Sequence, residues 1–76
     1  MKYLLCELEK GCEGVLLELP EDCILARRLR QFGMIEGTKI RSIGTAPFGS
    51  PMLFRIRGST VALRTEDCRE LYVVII

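Results

Sequence analysis

The chain contains no histidine and no tryptophan among its 76 residues, and only three prolines. Histidine is the side chain most used as a general base near neutral pH and as a metal ligand, so its absence argues against ordinary acid–base catalysis. No apolar run approaches the roughly 20 residues of a membrane-spanning helix. The longest is 71–76. Residues 1–7 hold only about four apolar side chains before a charge, short of the roughly 7 to 15 of a secretory signal core, and the expectation is a cytoplasmic protein. Neither charge sign dominates: 11 Lys and Arg stand against 10 Asp and Glu, for a net charge of +1. Global basicity therefore gives no case for nucleic acid or an anionic membrane.

What remains is enough to fold. The chain is 49% hydrophobic and 28% charged, ample apolar area to offset the entropy of ordering. At this length about 60% of the unfolded surface can be buried, which allows one core and one domain over residues 1–76. The charges are unevenly placed. From Arg27 to Arg64 there are eight basic residues and a single acid, Glu36, giving +7 to the middle and −6 to the two ends.

The four cysteines, Cys6, Cys12, Cys23 and Cys68, are separated by five, ten and forty-four residues. That spacing contains no Cys-x-x-Cys knuckle, and reduced thiols are the expectation in the absence of secretion. A cysteine-dependent metal-binding module is kept as an alternative, because Cys6 and Cys68 approach one another if the first and last strands pair. Two thiolates from opposite ends make an incomplete site, and filling space in or near the core is the simpler role.

Glycines fall singly between short apolar runs, as in a small all-β unit. Strands are expected over 3–8 and 14–19. Pro20-Glu21-Asp22 has the composition of a helix start, with Gly33 as the left-handed stop after Phe32. Leu25, Leu29 and Phe32 then share a core stripe, while Cys23, Arg27 and Arg30 face outward. A strand over 38–45 needs a bulge near Ser42-Gly44, since Ile40 and Ile43 have opposite parity. Ala46 to Pro51 is an ordered loop, because its two prolines remove donors and fix φ. Residues 52–64 read as a hairpin about a Gly58-Ser59 turn of type II′, pairing Ile56 with Val61 and Phe54 with Leu63. That register gives one apolar face and one face carrying Arg55, Arg57 and Arg64. A short helical turn over 65–70 and a strand over 71–76 complete the chain.

Four segments in this order resemble one family. They are Leu5-x-x-Leu8-x-x-Gly11-x-x-Gly14; Arg27-Arg28-Leu29 with Phe32-Gly33-Met34-x-x-Gly37; Ala46-Pro47-Phe48-Gly49-Ser50-Pro51; and Arg57-Gly58 followed by Ala62-Leu63-Arg64. Together they are similar to the FeoA family of small cytoplasmic proteins associated with the FeoB ferrous-iron transporter of bacteria and archaea. The resemblance implies a mainly β fold: a small SH3-like β-barrel of five to six strands with one inserted helix. It also implies a non-catalytic accessory or regulatory role, exercised on the cytoplasmic GTPase part of a FeoB-type transporter, with no cofactor. Contact with the membrane would be through the transporter alone. The chain departs from the family pattern in having Ser50 where Asp is usual and Cys68 where Ala is usual.

The expected partner surface joins the loop from Pro47 to Met52 with the helix face around Ile24 and Arg28. Pro47 and Pro51 leave the loop little entropy to lose on docking, and Phe48 is an apolar anchor on that loop. The competing role for Phe48 is to fold back and plug one end of the barrel. Arg55, Arg57 and Arg64, with Arg27, Arg28 and Arg30, suit an acidic partner surface, or serve as solvated charges that keep a small domain soluble. Single-stranded nucleic-acid binding is a minor alternative: small barrels can present a basic face, yet the stacking aromatics are wanting and no nucleic-acid partner is expected. Finally, residues 71–76 are apolar on both parities. With Leu71, Val73 and Ile75 inward, Tyr72, Val74 and Ile76 form an outer strip suited to weak dimerisation or a transporter contact.

Overall fold

A computed structural model describes residues 2–17, 19 and 24–75. Its centre is one antiparallel sheet of six strands: β1 (Lys2–Leu4), β2 (Glu13–Leu16), β3 (Lys39–Thr45), β4 (Met52–Ile56), β5 (Ser59–Leu63) and β6 (Tyr72–Ile75). Helix α1 spans Ile24–Gln31 and a one-turn helix α2 spans Thr65–Cys68. The spatial order is β1-β6-β2-β3-β4-β5. The expected barrel is therefore not closed by hydrogen bonds: among the described residues β1 and β5 are the two edges, and the sheet curves around its core as an open ladder.

Alternation along the strands decides which side is buried. Leu16, Ile40, Phe54, Ile56 and Val73 are at most 2% exposed. They pack with Leu25 and Leu29 of α1, and with Leu5, Met34 and Leu71 from the connections. Gly14 sits between Ile40 on β3 and Ile75 on β6. A Cβ there would stand 3.1 Å from the Val73 Cβ and 3.2 Å from the Val74 carbonyl oxygen. Only glycine lets β2 and β6 approach this closely.

The first strand is shorter than expected. After Leu4 the chain turns through a 3-10 segment, Leu5–Glu7, which drops Leu5 and Leu8 into the core. The second strand ends at Leu16 rather than Leu19. The helix start expected at 20–22, and Cys23, lie outside the described residues. Gly33 has φ +79°, the expected left-handed stop. Phe32, however, is 53% exposed and does not extend the core stripe. Helical phase ends at Gln31; the Met34 N–H bonds back to the Leu29 carbonyl at 2.9 Å, and the fully buried Met34 takes the place expected of Phe32.

The expected bulge is present as a register shift between Ser42 and Gly44. The hairpin forms in a different register: Ile56 pairs with Ser59, Phe54 with Val61 and Met52 with Leu63. Its turn residues are Arg57 and Gly58, with φ of 50° and 81°, the positive pair that a type I′ turn requires and that matches strand twist. Each partner has moved by two residues, so parity survives and the apolar face is the one expected. Leu71, just before β6, and Val73 within it are buried as expected, but Ile75 is 41% exposed. β6 is also no edge, since β1 pairs along it from Lys2–Val74 to Leu4–Tyr72.

Candidate functional site

The loop after β3 is held in one shape by its own backbone. The Ala46 N–H donates to the Pro51 carbonyl at 2.9 Å, and the Gly49 N–H donates to the Ala46 carbonyl at 3.0 Å. From outside the loop, the Thr65 hydroxyl at the start of α2 donates to the Gly49 carbonyl at 3.3 Å. The Ser50–Pro51 peptide is cis. Between these ties the short turn Pro47–Gly49 places Phe48 at φ 76°, ψ 10°, a left-handed conformation that costs a bulky residue about 1–2 kcal/mol. Its side chain is wholly exposed. Phe48 plugs nothing; it is an apolar side chain held out in water by a loop closed at both ends.

Arg28 on α1 meets this loop across a shallow groove of about 570 Å³, lined by Arg28, Ser50, Pro51, Ala62, Arg64 and Glu66. The groove brings together two of the expected surface residues, Arg28 and Pro51. Pro47 and Phe48 are exposed on the same loop, and Ile24 is 76% exposed at the start of α1. Met52 is different. It is 6% exposed and belongs to the core cluster, because the first residue of β4 points to the packed face. It supports the loop from beneath and offers no surface.

Ala62 and Glu66 escaped the sequence reading. Arg64 was assigned to the outer hairpin face but not to a groove shared with α1. The one available signal was the hairpin parity, which puts Ala62 outward beside Arg64 without saying what stands opposite. Among the described residues the single ion pair joins Arg41 to Glu13 at 3.7 Å. Among the described residues the exposed guanidiniums of Arg28 and Arg64 make no ion pair, although Glu66 lines the same groove.

The cysteines have a different setting. β1 and β6 pair as the metal alternative requires, and Cys6 and Cys68 are electrostatic neighbours. Yet Cys68 is completely buried. Burial first, then the nearby Cys6 and Asp67, pushes its thiol up to about 12. It is a small apolar filler at neutral pH. Among the described residues no three metal-ligating side chains converge, and no helix is long and apolar enough to cross a membrane.

Comparison with known proteins decides the family. A sequence profile of the FeoA domain matches residues 3–75. The chain belongs to the FeoA family. It is 29% identical over 72 residues to the Fe(2+) transport protein A/Fe(2+) transporter FeoB fusion protein of Porphyromonas gingivalis. That match takes in 95% of this chain and 8% of the relative, so the chain spans a small fraction of the relative's length. The FeoA-like protein from Clostridium acetobutylicum superposes with a TM-score of 0.88 at 25% identity, covering 99% of this chain and 87% of the other. Stenotrophomonas maltophilia FeoA in complex with zinc, described as a procaryotic SH3 domain protein, superposes with a TM-score of 0.71 at 29% identity, covering 100% and 89%. FeoA domains are associated with ferrous iron transport, and the mainly β, SH3-like class expected for this chain agrees with these neighbours.

Proposed function

We propose that this FeoA domain is a non-catalytic accessory or regulatory protein of ferrous iron uptake that acts on the cytoplasmic side by binding the GTPase part of a FeoB-type transporter. The observation that carries the reading is Phe48. An exposed aromatic in a left-handed conformation, on a loop whose ends are tied and whose flank adjoins a cationic groove, has the form of a docking anchor, and it contributes nothing to the domain's own core. The fusion of FeoA-like and FeoB sequence in the P. gingivalis relative supports the choice of partner. Arg28, Pro47 and Pro51 complete the contact, with Ile24 at its margin.

Calorimetric titration against the purified GTPase domain of the FeoB-type transporter from the same organism tests it. The parent should bind, and Phe48→Ala should bind at least about tenfold more weakly with an unchanged melting temperature. No binding by the parent, or equal binding by the variant, defeats the reading.

A weak homodimer through the outer face of β6 is a second reading. Tyr72 and Val74 are 40% and 36% exposed there, beside a groove lined by Lys2, Leu17, Glu36 and Tyr72. Sedimentation of Val74→Lys against the parent checks it: a parent that stays monomeric at high concentration removes the dimer.

A further inference from the structure

The two edges of the sheet are not equivalent. At β1 the Leu4 N–H is occupied by the Glu7 carboxylate, with Oε1 at 2.9 Å. Among the described residues β5 has no such hydrogen-bonded cover. Its two-residue turn makes Ile56 and Ser59 a hydrogen-bonded pair, and the alternation of an antiparallel ladder then assigns Phe54 with Val61, and Met52 with Leu63, to the same class. The N–H and C=O groups of Thr60 and Ala62 therefore turn away from β4. No turn, loop or capping bond reaches either residue among the described residues. Their side chains are small and exposed, so nothing bulky guards the row of free donors and acceptors.

This edge borders the groove already described. Ala62 lines it, along with the guanidiniums of Arg28 and Arg64. We infer that the free edge of β5 accepts an extended acidic segment of the partner as a seventh strand, backbone paired to Thr60 and Ala62 and carboxylates facing Arg28 and Arg64. The inference rests on the groove being the partner surface and names the chemistry that the surface recognises. Main-chain pairing supplies affinity in such an addition, and the flanking side chains supply selectivity. A second copy of this chain fits the edge poorly, because its own β5, Ser-Thr-Val-Ala-Leu, brings no carboxylate to Arg28 and Arg64. A nucleic acid fits poorly too, since its phosphates accept hydrogen bonds and leave the carbonyls of Thr60 and Ala62 without donors. Glu66, at the same groove, disfavours a carboxylate beside it and so biases the register of the incoming strand.

The experiment uses the intact chain and a capped peptide of about eight alternating Thr and Glu residues, the length of an ordinary strand. Amide exchange and chemical shifts are followed by NMR. The expected result is exchange slowed at least about tenfold at Thr60 and Ala62, absent with the corresponding Thr-Lys peptide and reduced by Arg28→Glu with Arg64→Glu. Ala62→Pro removes an N–H that belongs to no ladder bond; it should keep the native spectrum and lose the protection. Absence of shifts up to millimolar peptide, or shifts confined to other faces, overturns the inference on the parent protein alone. Binding of the transporter GTPase domain equally by the parent and Ala62→Pro overturns strand addition and leaves the transporter reading standing. Peptide addition at β5 without any GTPase-domain binding does the reverse.

Discussion

The hydroxyl of Thr65 donates to the Gly49 carbonyl across 3.3 Å, and by this single bond the first turn of α2 sets the position of the loop that carries Phe48. The bond is exposed, so its net worth is at most about 1 kcal/mol. Thr65→Val should leave the melting temperature within a few degrees of the parent. It should also speed amide exchange at Gly49, whose own N–H closes the loop onto Ala46, and weaken partner binding severalfold. Unchanged exchange at Gly49 would show that the loop's internal bonds suffice.

Phe48 buries nothing and holds a strained backbone, so its replacement should be harmless to folding. Phe48→Ala is expected to change stability by less than about 0.5 kcal/mol. Phe48→Gly relieves a left-handed cost of about 1–2 kcal/mol and adds a glycine entropy cost of about 0.5–1 kcal/mol, for a net effect between neutral and slightly stabilising. Urea melts decide; a loss above about 2 kcal/mol in Phe48→Ala would return the ring to a core role.

Gly14 is the reverse case, a position without a side chain that has no room for one. With β6 atoms 3.1 and 3.2 Å from any Cβ, Gly14→Val should cost about 2–3 kcal/mol by overpacking. For a chain of this size that lowers the melting temperature by roughly 10 °C or more. A variant that melts with the parent would mean that β2 and β6 separate freely.

Cys68 predicts a pH dependence. Its thiol is pushed from 9.0 to about 12 by burial and by the neighbouring Cys6 and Asp67. A group whose folded pKa is raised contributes stability that is fully present below the unfolded value, and that contribution is lost as pH rises toward the folded one. Stability should therefore fall between about pH 9 and 12, and Cys68→Ala should flatten that slope after its own loss of packing is allowed for. A thiol reagent at pH 8 should modify Cys6 and Cys12 well before Cys68. Equal rates would refute the burial.

Much of this protein is written in local pattern. Alternation along 52–64 determined the inward face of the hairpin even though the register was read two residues off, because a shift of two leaves parity intact. Opposite parity of Ile40 and Ile43 determined the bulge, and proline with glycine determined that 46–51 is an ordered loop. These are properties of adjacent residues, decided by chain sterics and by a two-residue period. Other features depended on what arrives from elsewhere in the chain. Phe32 carries the right spacing for the core, but helical phase stops one residue earlier and Met34 fills the space. Met52 carries the apolar character of a contact residue, but β3 and β5 on either side commit it to the interior. Whether the sheet closes, which strand is left at its edge, and that Arg28 shares a groove with Ala62 and Arg64 were decided only by tertiary structure. Edges and grooves are set by long-range pairing, in which residues far apart in sequence compete for the same space, and no local period records the winner.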